Sequence, residues 1–109
     1  MRADARFVPA LVVFAGDPAR AEAWGRFMEL RPDGGRLLLR HAVPLQAKLL
    51  LDFDIFGEPF RGIEAVALES GLDDDGYAAV SLRFSKEEQR VSLGRAIRRL
   101  AASSFPDDR

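Results

Sequence analysis

The sequence contains no cysteine. That excludes a disulfide framework, a thiolate metal site and a cysteine nucleophile, and it fits a reducing compartment. A single histidine is present. His41 lies between an apolar run and a proline and belongs to no motif, so it reads as a surface side chain and not as a catalytic base. No apolar run approaches the roughly 20 residues that span a bilayer, and the first residues lack the apolar core of a secretory signal. Neither sign of charge dominates: 16 Lys and Arg stand against 17 Asp and Glu, for a formal net charge of -1. A broad electrostatic grip on DNA or RNA is therefore not indicated. The expectation is a cytoplasmic protein with no membrane insertion and no nucleic acid polymer as partner.

Signals for enzyme chemistry are equally sparse. The serines lack a nucleophile-elbow context. Gly34-Gly35 follows a turn proline and precedes an apolar stretch of strand character, not a helix, so it does not form a phosphate loop. Asp73-Asp74-Asp75-Gly76 has neither the alternating spacing nor the closing glutamate of a calcium loop and reads as a soluble hairpin tip. Asp52 and Asp54 share one strand face, where two carboxylates read first as a solvated surface. No catalytic residue, no metal site and no cofactor is expected.

What is present builds one compact domain. The 109 residues are 48% hydrophobic and 30% charged, enough for a single core over 1–109. Phe7 to Phe14, FVPALVVF, reads as a strand, with Pro9 turned to an open edge or a bulge because it cannot donate to a ladder. Asp17-Pro18 followed by Ala19, Ala21, Glu22 and Ala23 predicts one or two helical turns, and RFMEL after Gly25 a short strand. Arg31-Pro32-Asp33-Gly34-Gly35 is a turn by composition, and RLLLR a strand.

From Ala47 to Ile55 the alternation is clean. Ala47, Leu49, Leu51, Phe53 and Ile55 share one face, and Lys48, Leu50, Asp52 and Asp54 the other. Phe60 to Leu68 is a further strand, with a bend or bulge at Gly62, and Tyr77 to Phe84 the last.

The period then changes. Ser85-Lys86-Glu87-Glu88 fits a capping box, with the Ser85 hydroxyl accepting from the Glu88 amide. Leu93, Ala96, Ile97 and Leu100 follow helical spacing over about 86–102. Arg90, Arg95, Arg98 and Arg99 fill much of the remaining helix surface and form the candidate partner-binding face. Strands within 7–84 followed by one helix predict a small, mainly β, antiparallel barrel or sandwich with the helix packed on one open end.

Two arginines, Arg2 and Arg6, precede the first strand in MRADARF. Arginine pairs with phosphate through a planar fork, reads the edge of guanine and stacks on bases. Such a pair can clamp a guanine nucleotide.

The pattern resembles a PilZ domain over nearly the whole chain. LLLDFDIFGEPFRGIEAVALES is similar to that family's central hairpin, and YAAVSLRFSKEEQRVSLGRAIRRL to its last strand and its glutamine- and arginine-bearing helix. The resemblance implies a six-stranded antiparallel β-barrel with a C-terminal helix, acting in bacterial cyclic di-GMP signalling. The family holds its ligand through an R-x-x-x-R stretch before the first strand, matched by Arg2 to Arg6, and a D/N-x-S-x-x-G stretch further on.

In the second motif this chain departs from the pattern. With Gly35 as the motif glycine, Leu30 and Pro32 take the polar positions; with Gly34, Glu29 and Arg31 do. Neither register restores both anchors, and each lost polar contact costs about 1–3 kcal/mol. The candidate nucleotide-binding residues are thus Arg2, Arg6, Gly34 and Gly35. The expectation is a non-catalytic adaptor with weak or no cyclic di-GMP binding, docking on a signalling or motility protein. The alternative is a cyclic di-GMP effector using Arg2 and Arg6. Exposed strand edges leave self-association into a homo-oligomer open.

Overall fold

The structure is a computed structural model that describes residues 8–17, 19, 21–72 and 75–102 in full, and residues 3–4 and 103–104 through their backbone. Among the described residues seven strands and one helix follow in chain order: β1 Ala3–Asp4, β2 Pro9–Phe14, β3 Glu22–Arg31, β4 Gly34–Leu39, β5 Lys48–Ile55, β6 Glu58–Leu72, β7 Ala78–Phe84 and α1 Glu87–Ser104. Strands pair in the order β1-β3-β2-β5-β6-β7-β4, and β4 returns to β3. Every pairing is antiparallel. The result is a closed six-stranded antiparallel barrel, β3-β2-β5-β6-β7-β4, with the short β1 laid on the edge of β3 and one helix after the last strand.

Period-two patterning decides which side chains fill the barrel. Leu49, Leu51, Phe53 and Ile55 of β5 point inward and are buried, while Lys48 and Asp54 are exposed and Leu50 and Asp52 half-buried. The same alternation puts Ala10, Val12 and Phe14 of β2 and Ala78, Val80, Leu82 and Phe84 of β7 in the core. Phe53 meets Phe27 edge-on at 5.0 Å and stacks near Phe60 at 5.7 Å, arrangements that suit aromatic quadrupoles. Leu93, Ala96 and Ile97 of α1 are fully buried and join the same core. Burying a leucine or isoleucine side chain contributes about 1.5–3 kcal/mol, so the apolar stripe alone fixes which face of α1 turns inward.

Two irregularities shape the wall. Leu51 pairs with Ile63 and Phe53 with Phe60, leaving Asp52 opposite both Arg61 and Gly62. This is the expected bulge. Gly62 adopts a φ of 63°, and its amide donates to Asp52 Oδ1 at 2.8 Å. The second lies at Pro9. Val8 O accepts from Phe27 N and Phe14 N donates to Ala21 O, while Ala15 N donates to Lys48 O. Even-numbered residues of β2 therefore bond to β3, and odd-numbered ones turn to β5. Pro9 has no N–H to offer β5, and the β2–β5 ladder begins only at Leu11 and Asp52. The expected open edge is a seam in the barrel wall.

Three expectations are corrected. Among the described residues no helical turn follows Asp17: Asp17 Oδ1 accepts from Ala19 N at 2.9 Å, and the chain enters β3 at Glu22. Cross-strand pairing of Val12 with Ala23 and Val13 with Glu22 overrides the helix propensity of the alanines. RFMEL is accordingly the second half of one ten-residue strand. β6 runs on to Leu72, beyond its expected end at Leu68. The capping box does not form, because α1 begins at Glu87, one position too late for a Ser85 cap. The Ser85 hydroxyl donates instead to the carbonyl oxygen and carboxylate of Glu64 at 3.2 and 3.4 Å.

Candidate functional site

The first candidate surface is the β3–β4 turn with the stretch that precedes β2. Arg2 and Arg6 lie outside the described residues, but the backbone of Ala3 and Asp4 is described: Ala3 pairs with Leu30 and Asp4 with Glu29. β1 therefore lays Ala3 and Asp4 beside the segment that would carry the second ligand motif. Sequence spacing alone did not show this juxtaposition, since Asp4 and Glu29 are far apart in the chain and only the sheet brings them together.

Within the turn itself the side chains are engaged with the protein. Arg31 Nη1 bonds Glu29 Oε1 at 3.2 Å and Arg31 Nε bonds Asp33 Oδ1 at 3.4 Å. Leu30 is fully buried. Pro32 packs beneath the helix, so that a Cβ built on Gly94 would stand 3.8 Å from its own. Asp33 O accepts from Phe84 N at 2.8 Å and ties the turn to the last strand.

Gly34 and Gly35 are not part of a loop. They open β4, pair on one side with Arg31 and Leu30 and on the other with Arg83 and Leu82, and are buried. A Cβ on Gly34 would overlap Leu82 O, and one on Gly35 would lie 2.6 Å from Glu29 O. Close approach of three strands accounts for both glycines.

The second candidate surface is α1, whose start is held by its glutamine. Gln89 Nε2 donates to Gly62 O at 3.0 Å, and its Oε1 accepts from Glu64 N at 2.9 Å. The side-chain amide thus satisfies backbone groups flanking the bulge, much as a further strand would. The four arginines separate into two kinds. Arg90 folds back, with Nη1 donating to Phe84 O at 3.2 Å, and Arg99 pairs with Glu58 across to β6. Arg95 and Arg98 are exposed and form no ion pair among the described residues. With Val91, which is 55% exposed, they share one outward face of the helix.

Other candidate groups fall in place as surface. The His41 ring lies 4.5 Å from that of Phe14, and its Nδ1 is 2.8 Å from Ala42 O. Asp73 and Asp74 lie outside the described residues. Among the described residues no group of three or more metal-ligating side chains comes together, and no helix is long and apolar enough to cross a membrane.

No family model and no curated protein matches the chain. Among solved structures it is similar to "PilZ domain with c-di-GMP of YcgR from Escherichia coli", with 16% sequence identity and a TM-score of 0.67, over 94% of this chain and 90% of that one. Together with the closed six-stranded barrel and the helix that follows it, this likeness gives the chain a PilZ-like fold. At that identity the likeness reaches no further than the fold.

Proposed function

We propose that this chain is a non-catalytic, cytoplasmic PilZ-like adaptor of bacterial signalling, which works by binding another protein and has weak or no affinity for cyclic di-GMP. The observation that carries this reading is the state of the β3–β4 turn. Glu29 and Arg31 neutralise each other, Leu30 is buried, Pro32 packs against α1, and the backbone of Gly34 and Gly35 lies between two neighbouring strands. A ligand arriving there would have to displace ion pairs and ladder bonds before making any of its own, and binding gains only the surplus. Arg95, Arg98 and Val91 provide one exposed surface for a protein partner.

A second reading is kept by one observation. β1 pairs Ala3 and Asp4 with Leu30 and Glu29; Arg2 and Arg6 flank that pair in sequence, the effector reading has them hold guanine and phosphate, and the structurally similar domain of YcgR is one with c-di-GMP. Calorimetric titration with cyclic di-GMP separates the two. The adaptor reading expects no heat at ligand concentrations up to hundreds of micromolar; micromolar binding that disappears in Arg6→Ala would replace it with the effector reading.

A further inference from the structure

The seam opened by Pro9 continues into a surface groove of about 400 Å³ on the outside of the barrel. Outward-facing residues of four neighbouring strands line up across it: Trp24 of β3 pairs with Leu11 of β2, Leu11 with Asp52 of β5, and Asp52 faces Arg61 at the β6 bulge. Pro9, the edge of Phe53 and Asp54 complete the lining. Trp24 is 69% exposed, the second most exposed of the large hydrophobic side chains among the described residues. The indole is no part of the buried core and shares the groove with two carboxylates.

The groove already shows what it can bind. Arg61 Nη1 donates to Asp54 Oδ1 at 3.0 Å, to Phe53 O at 3.1 Å and to Phe60 O at 3.2 Å. Its guanidinium is therefore seated on one carboxylate and two backbone oxygens. A carboxylate offers about four acceptor positions, and Asp52 and Asp54 each use one in the bonds described. With two carboxylates against one guanidinium, the groove keeps a net negative charge. Its apolar walls suit the methylene stem of a long basic side chain, and the face of an indole attracts a cation.

We propose that this groove docks an arginine-bearing segment of the partner protein, with the partner's guanidinium between Trp24 and the Asp52–Asp54 carboxylates. The proposal rests on the adaptor reading and gives the partner a chemistry: basic, and presented in an extended or exposed segment.

Trp24 is the only tryptophan, so its emission reports on the groove directly. A capped peptide of alternating arginine and alanine should change that emission along a saturating curve, whereas the same peptide with glutamate for arginine should not. Asp52→Asn with Asp54→Asn, which keeps the oxygen that accepts from Gly62, should weaken binding about tenfold. Should the double variant not fold, Asp54→Asn alone should weaken it about threefold. Unchanged emission with the arginine peptide, or equal affinity in the folded asparagine variant, overturns the proposal. So does emission that shifts with protein concentration in the absence of peptide, which would put a second copy of the chain in the groove. Failure here with no heat from cyclic di-GMP leaves the adaptor reading intact; binding of cyclic di-GMP removes that reading whatever the peptide does.

Discussion

Two prolines mark the two ends of this molecule's surface chemistry. Pro32, in the β3–β4 turn, packs against the Gly94 side of α1, among side chains that answer one another and glycines that leave no room. Pro9, at the start of β2, withholds one amide from the barrel wall and leaves a groove lined by an exposed indole and two carboxylates. The same residue closes one region and opens another because of what surrounds it. A turn beneath a helix half-buries the ring against it. A strand between two neighbours exposes the missing donor. Under the proposal above, binding falls where the ladder stops and not where the motif is expected.

Three substitutions test that contrast. The largest effect belongs to the closed region. Gly34→Ala drives a methyl group into Leu82 O, and backbone has to shift to admit it. A loss of about 2–4 kcal/mol is expected, read as a lower midpoint in urea denaturation. An unchanged midpoint would mean that the turn is looser than its geometry.

Gly94→Ala, at the same turn but on the helix, should go the other way. Its new Cβ meets Pro32 at 3.8 Å, an ordinary contact, and replacing an interior helical glycine gains up to about 1 kcal/mol. Destabilisation in the same denaturation experiment would show that the helix cannot spare that space.

The smallest change in stability is expected at the open region. Pro9→Ala restores an amide facing β5 at the cost of a freer unfolded chain, so stability should move by less than about 1 kcal/mol. The new amide, followed by hydrogen exchange, should be protected if the seam zips beyond Leu11. Free exchange would show that something other than the proline keeps β2 and β5 apart.

Much of the fold was legible in the residues. The alternation from Ala47 to Ile55, the bend at Gly62, the open edge at Pro9 and the apolar stripe from Leu93 to Leu100 each follow from local spacing, and the structure has all four. Glu22 to Gly25 was misread because small residues carry two meanings. Ala21 and Ala23 favour helix and Gly25 interrupts it, but here Ala23 and Gly25 are inward positions of β3, which is crowded by β4, where a Cβ on Gly25 would lie 2.7 Å from Leu38 O. The signal that could have found the strand was the alternation of these small residues with Glu22, Trp24 and Arg26.

The candidate sites were legible only as residue types. The four helix arginines are equal in sequence, yet Arg90 and Arg99 are bound back onto the barrel while Arg95 and Arg98 face outward. Trp24 gave no signal, because tryptophan is highly buried on average and nothing within a few residues of it marks the side that faces solvent.

By itself the sequence determined the strands that alternate, the helix that closes the chain and the absence of thiol chemistry, since each depends on neighbours within a few residues. Only the tertiary structure decided that Gly34 and Gly35 are pressed between β3 and β7, and that Trp24, Asp52 and Asp54 share one groove. Those are contacts between strands far apart in the chain, and their geometry exists only once the sheet has closed on itself.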